Sequence, residues 1–139
     1  MLDVRASDRV NYYAAGMSIP VDLTELVRVL ERFDYAYLTT TDAGCRPHVV
    51  AVSPVVEQGC LTIGEVGRQS RANLTAHPMV TLVWPPIDRS GHTLIVDATC
   101  TTPDAATVRA VPTRAVLHRP APPTAVATEG CGGDCIEVL

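Results

Sequence analysis

Apolar and polar positions change their period along this chain, and each change marks an element. Leu23, Leu26, Val27 and Leu30 follow the i, i+3, i+4, i+7 spacing that predicts an amphipathic helix. Asp22 and Glu25 stand in capping-box spacing at its start, with Asp in the usual Ser or Thr place. The pattern runs to Phe33, and Arg28, Glu31 and Arg32 fall on the wet side. A β-branched and aromatic run, Tyr35 to Thr41, follows and reads as a strand. Asp42-Ala43-Gly44 turns the chain into a long second strand, Arg46 to Val56, with Pro47 and Pro54 near its ends, where proline is tolerated. Glu57-Gln58-Gly59 makes a hairpin turn into Cys60 to Gly64. Ser70 is placed to cap a helix through Ala76, and Pro78 stops it. Three more strands are predicted: Met79 to Trp84, His92 to Thr101, and Thr107 to Leu117 interrupted at Pro112.

The ends lack such patterns. Residues 1–20 read as an arm, 21–118 as the domain, and 119–139 as a Pro- and Gly-rich tail. Six strands joined mostly by hairpins, with two helices, predict a mainly β fold: an antiparallel barrel with appended helices. No alternating βα repeat is present, which argues against a doubly wound sheet.

Composition narrows the choices. The 139 residues fit one domain. With one Trp and one Phe, the core must be built from Val, Ala, Leu and Ile. A net charge of −4 speaks against a nucleic-acid partner, which demands clustered positive charge. All 11 basic residues are Arg, so lysine Schiff-base chemistry is unavailable and a phosphate must be held by Arg, hydroxyls or backbone N–H groups. No stretch is long and apolar enough to span a membrane, and the N-terminus has no apolar signal region. Five cysteines at irregular spacing form no disulfide framework, which points to a reducing cytoplasm. Cys131 and Cys135, in GCGGDC, supply half of a zinc site or a reversible disulfide at most, or sit in a disordered tail.

Candidate chemistry concentrates in GEVGRQSRANL, Gly64 to Leu74. A helix N-terminus beside Arg68, Ser70 and Arg71 is suited to an anion; an ordinary solvated loop with a serine cap is the alternative. No histidine pair has metal-ligand spacing. His48 stands on the predicted second strand, and its imidazole could donate to a ligand or act as an acid. No Gly-x-Ser-x-Gly setting and no close carboxylate pair is present.

The order of these elements between Tyr35 and Trp84 resembles the core of the pyridoxamine 5'-phosphate oxidase-like split barrels, which bind flavin mononucleotide (FMN). The resemblance covers roughly residues 22–118 and implies a six-stranded antiparallel split barrel that forms a homodimer. It implies that His48, Val49, Val50, Ala51, Val52 and Ser53 of the second strand, Ile63 and Gly64 of the third, and Arg68, Ser70 and Arg71 of the next loop hold the cofactor. Trp84 matches a tryptophan near the neighbouring subunit's flavin, or is a plain core aromatic. Arg68-Gln69-Ser70 stands where the family has a Ser-Arg-Lys-type triplet, so hydroxyl and cation are exchanged and the Lys is missing. Nothing after Thr107 matches the authentic oxidase's substrate-gripping segment. The resemblance therefore implies a cytoplasmic FMN-dependent oxidoreductase acting on an unidentified small molecule. A deazaflavin-dependent reductase and a non-catalytic flavin- or haem-binding dimer are the alternatives.

Overall fold

The computed structural model describes residues 18–101 and 105–120. One compact unit spans Pro20–Leu117; of a second, residues 18–19 and 118–120 are described. In the second unit, Ser18 Oγ and His118 Nδ1 lie 3.0 Å apart. Cys131 and Cys135 lie outside the described residues.

The elements follow in the order β1 (Ser18–Val21), a 3-10 turn (Leu23–Glu25), α1 (Leu26–Leu30), β2 (Ala36–Thr41), β3 (Pro47–Val52), β4 (Val55–Glu57), β5 (Cys60–Ile63), α2 (Arg68–Ala76), β6 (Met79–Trp84), β7 (Thr93–Cys100) and β8 (Val108–His118). They build one eight-stranded sheet in the order β3-β2-β6-β7-β8-β5-β4, with β1 beside β8. β2 runs antiparallel to β3 and β6, β6 to β7, and β5 to both β4 and β8. The sheet is a curled antiparallel half-barrel with two helices. Its two free edges, β3 and β4, are consecutive in the chain and joined only by Ser53 and Pro54. A seam therefore runs where the sheet would otherwise close.

Alternation explains the wall. In β7, Leu94, Val96, Ala98 and Cys100 are buried while the residues between them face outward. Leu38, Leu61, Ile63, Leu82 and Val108 fill the same core, and Trp84 joins them. Each fully buried Leu or Ile is worth roughly 1.5–3 kcal/mol against exposure. The hairpin from β4 to β5 turns through Gln58 (φ 54) and Gly59 (φ 76), since Glu57 pairs with Cys60. Two successive left-handed residues make the tight turn that matches strand twist.

Six sequence expectations change in detail. The helix expected over 22–33 is shorter, beginning in the 3-10 turn and ending in i→i−3 bonds from Glu31, Arg32 and Phe33. Its inward face is Leu26, Val29, Leu30 and Phe33; Leu23 and Val27 are exposed. That face has the same spacing as the expected one, shifted by one turn, so the periodicity alone could not choose between them. Asp22 does cap, accepting the Thr24 N–H at 3.0 Å, but Glu25 instead lies 3.7 Å from Arg28 on the surface. The long second strand divides at Ser53-Pro54, because Pro54 cannot donate to a ladder. The arm's last residues form β1. β8 continues through Pro112, but its alternation slips just beyond it: Thr113 and Arg114 are both exposed, and Ala115 and Val116 both buried. Finally, Gly67 and not Ser70 caps α2, since the Arg71 N–H bonds to the Gly67 carbonyl at 3.0 Å.

Candidate cofactor site

The seam is lined on one side by β3. Among the described residues it is an edge strand that pairs with β2 alone, which leaves backbone N–H and C=O groups along its other side without a strand partner there. Where β3 ends, Ala51, Val52 and Ser53 meet Tyr35, Gly64 and Glu65 around a cleft of about 420 Å³. That volume lies within the roughly 300–1,000 Å³ of small-molecule sites. A Cβ built on Gly64 would meet nothing within 4 Å, so the glycine keeps that side of the cleft clear. Glu65 holds φ 55, a left-handed conformation that costs a non-glycine residue energy. The next residue pins the loop: Val66 is buried and its N–H bonds to the Ala106 carbonyl at 2.8 Å.

A second depression, about 400 Å³, lies at the other end of β3 among Asp42, Arg46, Pro47, His48, Val49, Gln69 and Asn73. Asp42 builds its rim by accepting the N–H groups of Gly44 at 2.9 Å and Arg46 at 2.8 Å. α2 is held against β2 by a short polar chain. Gln69 Nε2 donates to Asn73 Oδ1 at 2.8 Å, and Asn73 Nδ2 donates to the buried Thr40 hydroxyl at 3.0 Å. These bonds fix the N-terminal turn of α2 beside the depression. That turn has no side-chain cap and no acid, so its first N–H groups keep their partial positive charge. Arg71 Nε is buried with no hydrogen-bond partner among the described residues.

The expected site residues therefore separate. Ala51, Val52, Ser53 and Gly64 come together in the first cleft. His48 and Val49 belong to the second depression, and His48 pairs across to Thr40. Val50 packs against the core, and Ile63 is within it. Arg68 is exposed at the first turn of α2, and Arg71 is half-buried one turn on. Ser70 is 1% exposed and sits in the third helical position, facing inward. Trp84 is also 1% exposed. A ring so enclosed offers no face to a neighbouring subunit's cofactor, and the plain core aromatic is what the structure contains. Tyr35, Glu65, Arg46, Gln69 and Asn73 were missed. The β2–β3 register, with Ala36 opposite Val52, carries Tyr35 to Ser53, but that register is not visible in the sequence. Glu65 carries no sequence signal.

The residues present fit a ligand with a flat ring and an anionic tail. His48 and Val52 are four residues apart, about 13 Å at about 3.3 Å per residue, so one extended molecule along β3 could reach both depressions. At one end are an edge strand and a cleft; at the other are the first turn of α2, through Gln69, and Arg46.

The outward face of the wall has its own character. Ala51, Tyr37, Val83 and Ile95 form one cross-strand row, and Val49, Thr39, Thr81 and Asp97 the next. Asp97 accepts from Thr81 Oγ1 at 2.9 Å. Val49 is 55% exposed and Met79 73%.

No protein-family model matches the chain. It is 42% identical over 132 residues to Uncharacterized protein Mb0449c of Mycobacterium bovis, covering 84% of this chain and 93% of that one. Among solved structures, a Listeria innocua protein named for pyridoxamine 5'-phosphate oxidase superposes with a TM-score of 0.54 at 14% identity, over 68% of this chain and 96% of its own. A FAD-binding protein from Mycobacterium smegmatis superposes with a TM-score of 0.51 at 19% identity, over 73% of this chain and 99% of its own.

Proposed function

This chain belongs to the family of the Mycobacterium bovis protein and has the split-barrel fold of the pyridoxamine 5'-phosphate oxidase-like proteins, and we propose that it binds FMN in the seam and uses it in a redox reaction on a small molecule. The observation that carries this reading is the unpaired edge of β3, running from the cleft at Ala51–Ser53 toward the uncapped N-terminus of α2. The FAD-binding protein from Mycobacterium smegmatis supports a flavin-type ligand on this fold.

When bound, the flavin supplies hydride or electron transfer. The chain's own work is to bind, orient and shield it. Backbone groups of Val49 to Val52 hold the ring, and Ser53 and Gly64 bound its pocket. Arg68, Arg71 and the first N–H groups of α2 hold the phosphate, with Arg46 and His48 beside them. The outward face, with its apolar row and the exposed Val49 and Met79 beyond that row, suits a homodimer whose second subunit would cover it and exclude water from the seam.

The test is the visible absorbance spectrum of the purified protein, before and after adding FMN and gel filtration. A retained flavin band is expected. Replacing Arg68 and Arg71 together by Ala is expected to weaken retention by roughly 10- to 100-fold, the loss of about two charge-assisted contacts. A wild-type protein that retains no flavin would overturn the reading.

A further inference from the structure

Tyr35 immediately precedes β2 and Tyr37 is its second residue, two apart, so both side chains lie on one side of the sheet. Their hydroxyl oxygens are 3.2 Å apart, and their rings meet edge to face with centroids separated by 5.4 Å at 80°. Two hydroxyls that share one hydrogen bond use one proton between them. The accepting hydroxyl keeps its own proton and can donate it elsewhere. Tyr35 lines the cleft of about 420 Å³ and Tyr37 does not. The other cleft-lining side chains are Ala51, Val52, Ser53 and Glu65. Of these an ionised Glu65 can only accept and Ser53 alone can donate. The bond between the two hydroxyls can run in either direction, and a phenol keeps its proton up to about pH 10. Tyr35 is therefore a neutral donor at any physiological pH.

We propose that this pair is the ring-side hydrogen-bond donor of the cleft: Tyr37 donates to Tyr35, and Tyr35 donates to a carbonyl oxygen of a planar heteroaromatic dione lying against Ala51–Ser53. The inference rests on the reading of the seam as a flavin site and adds what recognises the ring end. Tyr35 touches the ligand, and Tyr37 is a positioning residue that orients the Tyr35 proton.

The test compares riboflavin with FMN, which share a ring and differ by the phosphate, on the wild type, Tyr35→Phe, Tyr37→Phe and the double Arg68→Ala, Arg71→Ala variant. Tyr35→Phe is expected to weaken both flavins by the same factor, roughly 3- to 10-fold for one neutral hydrogen bond, and to shift the bound flavin's visible bands. Tyr37→Phe should weaken both by less and shift the bands in the same sense. The arginine variant should weaken FMN while leaving riboflavin unchanged. Both removed hydroxyls are exposed, so melting temperatures without ligand should match the wild type. A wild-type-like affinity and spectrum for Tyr35→Phe would overturn the inference while leaving the flavin site intact. Loss of FMN binding alone would also overturn it, by placing Tyr35 at the phosphate end. A wild type that binds neither flavin would remove the inference together with the reading beneath it.

Discussion

The two sides of this barrel are built by different rules. In the wall, β6 is paired on both flanks, by β2 and β7, and Val80, Leu82 and Trp84 alternate into the core. In the seam, β3 is paired on one flank and none of its residues is fully buried. The wall is set by side-chain alternation, and its backbone groups are consumed by the ladder. The seam is set by connectivity, because the chain leaves one sheet edge and begins the other within two residues. Its backbone stays available, and unpaired edge groups are what a ligand can use without displacing structure.

The contrast can be broken most forcefully at Leu82. Leu82→Ala should cost about 2–5 kcal/mol of stability, measured by denaturant unfolding, yet leave flavin affinity of the folded protein unchanged. A matching loss of affinity would mean that wall and seam are not separable. Asn73→Ala tests the joint between them. It strands Thr40 in the core and releases Gln69, and should cost about 1–3 kcal/mol. Flavin retention should fall with it, because α2 loses its anchor; a change in stability alone would show that the anchor does not set the seam. Met79→Asp probes the outward face. Met79 is largely exposed, so stability of the chain should change by no more than about 0.5 kcal/mol, while sedimentation should show the proposed dimer dissociating. An unchanged mass would put any interface elsewhere.

The smallest effect belongs to Asp22, remote from both regions. The Thr24 N–H, and then its hydroxyl, hold the Asp22 carboxyl below its ordinary value of 3.8. A lowered folded pKa gives stability that is present above the unfolded value and lost as pH falls through the folded one. Thermal melts of Asp22→Ala and wild type should therefore separate above the ordinary carboxylate range and converge as pH falls below it.

The wall was largely legible in the sequence. MVTLVW and TLIVDATC alternate cleanly because one face is buried, and the structure places β6 and β7 there. The seam was legible only as a region. Val49 and Val50 look alike in sequence but face opposite ways, and only the register with β2 shows which one the core takes. The inward turn of Ser70 had the same origin: hydroxyl residues that cap and those that sit inside a first turn differ by where the first hydrogen bond starts, which composition does not encode. In the sequence Tyr35 reads as the first residue of a strand, where an aromatic signals packing. It lines the cleft together with Ser53, which is far from it in the chain.

The two-residue link at Ser53-Pro54 also works as a calliper. From Val52 to Val55 the chain takes three steps, which cannot exceed about 10–11 Å when fully extended. The edges of the sheet are thus tied at one end and untied at the other, where β3 begins at Pro47 and β4 ends at Glu57. Such a slot tapers. It admits a thin, flat object and refuses a thick one near the tie, whatever the chemistry of either. Ligand thickness in this fold would accordingly be gauged by the length of a linker, and lengthening it by a few glycines would loosen that gauge without altering a single lining side chain.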